Sequence, residues 1–219
     1  MTTILITGAN RGIGLEVATR LHARGDTVIA ACRRSSAELD QLGVEVIEGV
    51  DVGSDDSVQE LSAALGERKL DWLMNNAGIL ERSSLEKPDF DAMERQFRIN
   101  SMGPLRVTVA LRDHLSAGSK VFIVTSRMGS IDDNDSGGSY GYRMSKAAVN
   151  MAGKSLSIDL KEAGIAVFLL HPGWVSTDMT QGTGIPVQES ASGLVRTMDG
   201  LGFDKTGTFW HQEGYELPW

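Results

Sequence analysis

The chain has 219 residues, 41% of them hydrophobic, and 21 Lys and Arg against 29 Asp and Glu, a formal charge of −8. That length suits one domain that buries well over half of its unfolded surface, and the acidic balance argues against nucleic acid, whose binding depends on clustered cations. A single cysteine (Cys32), histidines scattered at 22, 114, 171 and 211, and no apolar run near the roughly 20 residues of a membrane span point to a cytoplasmic protein with no disulfide, metal or membrane contact.

Residues 3–7 form a short apolar strand that runs directly into Thr7-Gly8-Ala9-Asn10-Arg11-Gly12-Ile13-Gly14. Beyond it Ile13, Val17 and Leu21 recur at helical spacing. In such a strand, turn and helix, Gly8 takes the tight turn and Gly12 lets backbone approach a ligand. Gly14 removes a side chain that would hold the helix off the sheet. A pyrophosphate would rest on the helix N-terminus, where unpaired N–H groups and the positive end of the dipole meet an anion. After the second strand, 27–32, come Arg33 and Arg34 with no acid beside them. Two guanidiniums there suit a ribose 2′-phosphate through charge-assisted, bidentate contacts; the plain reading is that they solvate a loop. The third strand is 44–48, and in the acidic run 51–56 either Ser54 or Asp55 caps a helix starting near Ser57.

The fourth strand, 70–75, leads into Asn75-Asn76-Ala77-Gly78. A helix from about Asp89 to Leu115 should bend at Asn100, because Pro104 has no N–H for the Asn100 carbonyl and its ring crowds that oxygen. The fifth strand, 120–125, ends at Ser126, and a polar loop, 132–138, precedes a helix over 139–163. There Tyr142 and Lys146 stand four apart on one face. The ammonium would favour phenolate and lower a phenol pKa of about 10. Taken alone, such a pair is usually a surface neighbour contact. Tyr140 has Met144 at the same offset and no cation. The sixth strand, 165–171, opens into Pro172-Gly173, and the seventh is 207–211. Runs such as Val121–Val124 and Ile165–Leu170 are apolar throughout, which burial on both faces demands. The pattern predicts a single-domain α/β fold over 1–219, a Rossmann-type doubly wound parallel sheet of about seven strands with helices on both faces. Thr7, Asn75, Ser126 and Pro172 all follow strands and would converge on the crevice at the strands' carboxyl ends.

On these motifs the chain resembles the short-chain dehydrogenase/reductase family. Its TGxxxGxG pattern stands here as TGANRGIG, its NNAG turn as Asn75–Gly78, its serine as Ser126, its YxxxK as Tyr142 to Lys146 and its Pro-Gly turn as Pro172-Gly173. Residues 125–131, TSRMGSI, and 137–146, GGSYGYRMSK, look most like the carbonyl reductase branch of sniffer-like and C-factor-like proteins. The resemblance implies hydride transfer with NADP(H) favoured over NAD(H), Tyr142 as general acid and base, Ser126 donating to the substrate oxygen, and Lys146 also holding the nicotinamide ribose. It implies an Asn100 carbonyl that holds a water linked to the lysine. It places the cofactor on Gly8, Asn10, Arg11, Gly12, Ile13, Gly14, Arg33, Arg34, Asp51, Val52, Asn76, Ala77, Gly78, Tyr142, Lys146, Pro172, Gly173, Val175 and Thr177, with Asp51 accepting from the adenine amino group. Most of the family carries its serine thirteen residues before the tyrosine, which here is Gly129, with Ser130 beside it. Ser126, at the strand end, is the better candidate if the loop is three residues longer. The substrate would be a small carbonyl compound or alcohol. Trp174 and Met179 are candidates for an apolar wall of the substrate site, and the glycine- and threonine-containing stretch 180–184 suggests an open site. Family members associate as dimers or tetramers through the helices placed here at 89–115 and 139–163. A C-factor-like sensor with little turnover is the rival reading. A methyltransferase-type nucleotide fold would leave Tyr142 and Lys146 idle.

Overall fold

The computed structural model describes residues 1–219. Seven parallel strands make one sheet: β1 (Thr3–Thr7), β2 (Thr27–Ala31), β3 (Glu45–Ile47), β4 (Trp72–Asn75), β5 (Lys120–Val124), β6 (Ala166–His171) and β7 (Thr208–His211). They lie in the order β3-β2-β1-β4-β5-β6-β7. The order reverses between β1 and β4, which opens a crevice at their carboxyl ends. Registers such as Thr7 opposite Ala31 and Asn75 opposite Ile123 bring the ends of these strands level.

Alternation along each strand divides the core into two layers. Ile4, Ile6, Phe122 and Phe168 pack on one face with Val17 and Leu21 of α1 (Gly12–Ala23) and with Leu194 and Met198 of the helix Val187–Gly200. Leu5, Leu73, Val121 and Val167 pack on the other with Leu61 of the helix Asp55–Leu65, Val107 of the helix Gly103–Ala110, and Val149 of the helix Tyr140–Asp159. Burying each of these side chains contributes roughly 1.5–3 kcal/mol. In chain order the helices are α1, α2 (Ala37–Leu42), α3 (Asp55–Leu65), α4 (Phe90–Gln96), α5 (Gly103–Ala110), α6 (Tyr140–Asp159) and α7 (Val187–Gly200).

Two local expectations change. Ser54 is the cap, its hydroxyl accepting from Ser57 N–H at 3.3 Å, and α3 starts at Asp55, two residues earlier than the spacing suggests. Around Asn100 the helix widens over one turn. α4 continues through a π-helical segment, Phe97–Met102, directly into α5, which begins at Gly103 with Pro104 in its first turn. Pro104 has no N–H to give, and the widened turn before it is where the helical hydrogen-bond ladder shifts. The helix ends at Ala110, followed by a 3₁₀ turn over Arg112–His114 rather than running on to Leu115. No helix is long and apolar enough to cross a membrane.

Candidate active site

The glycine turn and the turn after β4 are built against each other. Gly8 has φ +66°, and a Cβ on it would stand 2.9 Å from Ala77 Cα. A Cβ on Gly14 would meet the Asn76 side-chain amide at 2.5 Å, so this glycine makes room for a side chain as well as for the sheet. That amide donates to the Thr7 and Gly8 carbonyls, both at 3.1 Å, while Thr7 Oγ1 accepts from the Asn76 and Ala77 N–H groups at 3.1 and 3.2 Å. Thr7 is thus a staple of the crevice that sequence reading noted only as a strand end. Asn10 donates to the Arg34 carbonyl at 3.0 Å, joining the first turn to the end of β2.

These residues fit a dinucleotide. α1 starts without a side-chain cap and without an acid in its first turn, which leaves its N–H groups to an anion. Arg33 and Arg34 are exposed and join no ion pair. Arg11, in the glycine turn, pairs with Asp178 at 3.3 Å, both side chains being exposed. Asp51 accepts from Gly53 N–H at 2.8 Å, and Val52 is buried with its carbonyl taken by Arg106. A Cβ on Gly12 would lie 3.5 Å from the Thr177 methyl, so the loop after β6 faces the glycine turn directly.

A cavity of about 310 Å³ opens beside this crevice, lined by Ser126, Tyr142, Ile13, Pro172, Gly173, Val175 and Thr177 together with Leu80, Met128, His171, Trp174 and Met179. Residues from five separate segments of the chain therefore meet as the motif order requires. The Ser126 and Tyr142 hydroxyl side chains both line this cavity, and the Ser126 hydroxyl favours the phenolate form of Tyr142. Behind them Lys146 is buried, its Nζ 2.9 Å from the Val124 carbonyl and 5.7 Å from the centre of the Tyr142 ring. Burial pushes the phenol up to about 12, opposed by the Ser126 hydroxyl, and pushes the Lys146 ammonium down to about 8. The expectation that Lys146 draws the phenol toward neutrality is not met in the free protein. The buried amine faces a main-chain carbonyl, and desolvation of the phenolate dominates.

The choice of serine has a steric reason. A Cβ at position 129 would stand 2.6 Å from the Lys146 carbonyl carbon, so the turn after β5 packs on α6 with glycine alone. Ser130 is buried and accepts from Asp133 N–H at 3.1 Å, which places it in the loop scaffold rather than in the cavity. Asn100, in the π-helical segment, pairs with both main-chain groups of Ile79 (2.8 and 2.9 Å) and donates to Ser145 Oγ at 3.0 Å. Gly78 lies between, a Cβ there being 3.3 Å from Asn100 Oδ1 and 3.8 Å from Lys146 Nζ. Burial holds His171 neutral, at about 3. The stretch 180–184 is tied to the turn after β6, with residues 181–184 exposed. Trp174 Nε1 donates to Thr183 Oγ1 at 3.1 Å, Ser176 to the Gly182 carbonyl at 2.8 Å, and Val175 bridges Ile185. The arginines after the two hydroxyl residues, Arg127 and Arg143, also line the cavity and were not singled out from sequence, although their position next to Ser126 and Tyr142 was visible.

Comparison with known proteins gives the family. The family model described as short chain dehydrogenase matches residues 2–186. A Rhodococcus sp. (strain AD45) protein named 1-hydroxy-2-glutathionyl-2-methyl-3-butene dehydrogenase is 44% identical over all of both chains. The C-signal protein of Myxococcus xanthus is 47% identical over 68% of this chain and 93% of its own. Among solved structures, an NADPH-bound carbonyl reductase from chicken fatty liver has TM-score 0.91 at 30% identity, covering 100% of this chain and 99% of its own. The carbonyl reductase Sniffer of D. melanogaster has TM-score 0.93, also at 30% identity, with all of both chains covered. The chain belongs to the short chain dehydrogenase family and is an NAD(P)-dependent oxidoreductase.

Proposed function

We propose that the protein is an NADPH-preferring carbonyl reductase in which Ser126 and Tyr142 bind the substrate oxygen and Tyr142 supplies the proton. The observation that carries this reading is the meeting of the Ser126 and Tyr142 hydroxyls in one cavity, with the Lys146 ammonium buried behind them. Gly8, Asn10, Gly12, Ile13 and Gly14 would cradle the cofactor's phosphates, with Asp51 and Val52 at the adenine. Asn76, Ala77, Gly78, Pro172, Gly173, Val175 and Thr177 would border the nicotinamide half. The bound cofactor supplies the hydride. As negative charge grows on the carbonyl oxygen, the two hydroxyls donate to it where the charge develops, and the Tyr142 Oη proton passes to the alkoxide. Lys146 then returns a proton toward the phenol, and the Asn100 segment beside it is the route to solvent. The reverse sequence oxidises an alcohol, the direction in the name of the Rhodococcus relative.

NADPH preference is supported by exposed Arg33 and Arg34 without acidic partners, since paired guanidiniums offer a phosphate more than they offer a ribose hydroxyl. Assayed with a panel of aldehydes, diketones and quinones, NADPH should give at least about tenfold higher kcat/KM than NADH, a difference of about 1.4 kcal/mol. Arg33→Asp should erode it; equal efficiency with both cofactors contradicts the preference. The sensor reading is not favoured, because a cavity with Ser126, Tyr142 and Lys146 together is more than nucleotide binding requires.

A second concavity lies elsewhere. A groove of about 1070 Å³ runs along the outer face of α4, the π-helical segment and the start of α6, past Leu85, Phe90, Phe97, Met102, Tyr140 and Met144. It holds none of Ser126, Tyr142 or Lys146. We propose that a second copy of the chain covers it. Asp91 and Glu94 beside Arg95 and Arg98 give the self-complementary charges that a two-fold contact needs.

A further inference from the structure

We propose that Arg143 is a positioning residue for this reaction: it ties the Ser126 turn to the start of α6 and so sets the separation of the two hydroxyls. The inference rests on the catalytic reading above. Arg143 follows Tyr142 directly, and its guanidinium spans two segments. Nε donates to the Gly137 carbonyl at 3.1 Å and Nη2 to Ser136 Oγ at 2.7 Å, both in the loop before α6. Nη1 reaches the Met128 carbonyl at 3.4 Å, and Met128 N–H donates to Ser126 Oγ at 3.1 Å. One side chain thus connects the residue after the phenol to the residue whose amide orients the serine. A planar fork with donors in fixed directions suits three acceptors at once, which a lysine cannot match.

The backbone that Arg143 holds is strained at Ser139. Gly137, Gly138 and Ser139 are all left-handed, with φ +60°, +64° and +46°, and Ser139 is one of two non-glycine residues in that region. α6 begins there without a side-chain cap. Such a conformation persists where the surroundings over-determine it, and the Arg143 main chain adds to its side chain by donating to the Ser139 carbonyl at 3.0 Å. Other ties hold the same loop from its far end. Arg127, the residue after Ser126, pairs with Asp133 at 2.6 and 3.3 Å, and the Ile131 and Asp132 N–H groups donate to the Trp219 carbonyl. The Arg127 side chain of this pair is half exposed, and such a pair contributes little alone. The three Arg143 contacts, to two carbonyls and a hydroxyl, join the loop and the serine turn to the first turn of α6, while one turn further on Gly129 packs on Lys146 and accepts from the Asn150 amide at 3.3 Å.

The test compares Arg143→Ala and Arg143→Lys with wild type in the full-length protein, using an aldehyde that wild type reduces. Arg143→Ala should lower kcat about tenfold to hundredfold, the range expected of a small misplacement at a reacting centre, with NADPH affinity by fluorescence titration unchanged. Arg143→Lys, or methylguanidinium added to Arg143→Ala, should restore part of it. Undiminished kcat in Arg143→Ala overturns the inference, as does a loss matched by equal loss of NADPH affinity and indifferent to both rescues. A measurement without turnover separates this from failure of the catalytic reading. The chain has three tyrosines, so 3-fluorotyrosine labelling gives three ¹⁹F signals, with that of Tyr142 assigned by Tyr142→Phe. This signal should move in Arg143→Ala and Ser126→Ala alike and return in Arg143→Lys. If it stays in place in Arg143→Ala, Arg143 does not position the phenol, whatever the protein turns over.

Discussion

Tyr142 and Lys146 share a helix face, as a spacing of four requires, yet the buried ammonium bonds the Val124 carbonyl and the phenol stands well above its ordinary value. Spacing reports which face two residues share; it does not report desolvation, which here outweighs their mutual effect. The cost to Lys146 is testable through stability. With the ammonium lowered by burial to about 8 from 10.5, the unfolded chain holds this proton more tightly than the folded chain does. Stability contributed through Lys146 therefore rises with pH between about 8 and 10.5, and the gap is worth about 3 kcal/mol. Urea unfolding of wild type and Lys146→Met at several pH values should show wild type gaining on the variant across that interval. Parallel pH dependence would mean that the amine is not desolvated as described.

At the scale of elements, the approach of the β5 turn to α6 decides where the serine can stand. Gly129→Ala would place a methyl 2.6 Å from the Lys146 carbonyl carbon, and overpacking of this kind costs about 1–3 kcal/mol. The variant should melt lower and, by pushing the turn off α6, lose activity beyond what its stability explains; a neutral effect on both would show that the turn has slack. The seven strands were legible because those buried on both faces read as apolar runs, and the glycine turn because its helix follows with clear periodicity. The π-helical segment was not. Pro104 shows that the hydrogen-bond ladder must change near Asn100, but the widened turn comes with Asn100 bound to Ile79 and Ser145, contacts distant in sequence. The braced loop over 131–138 was hidden for the same reason. Polar residues and glycines announce a loop, whereas the reach of Arg143 from α6 to the Met128 carbonyl exists only once β5 and α6 lie side by side.

Across the whole molecule, strand order explains why motifs spread from Gly8 to Thr177 face one crevice: all the strands run the same way, and the loops at their carboxyl ends collect at the β1/β4 switch. The outer face of α4 to α6 is a separate surface, with Phe90 69% and Met144 50% exposed. If a second copy covers it, light scattering should give a dimer or larger assembly, and Phe90→Glu should yield monomers that still bind NADPH; a wild-type monomer contradicts that assembly. The central claim is that the Tyr142 phenol passes a proton to a carbonyl oxygen beside bound dinucleotide. Its most direct test is NADPH oxidation with an aldehyde panel by wild type and Tyr142→Phe, with NADPH binding measured in parallel. The account predicts turnover by wild type, a loss of about 10²-fold or more in the variant, and the same NADPH affinity in both; comparable turnover by the two proteins, or none by wild type with any carbonyl, would contradict it.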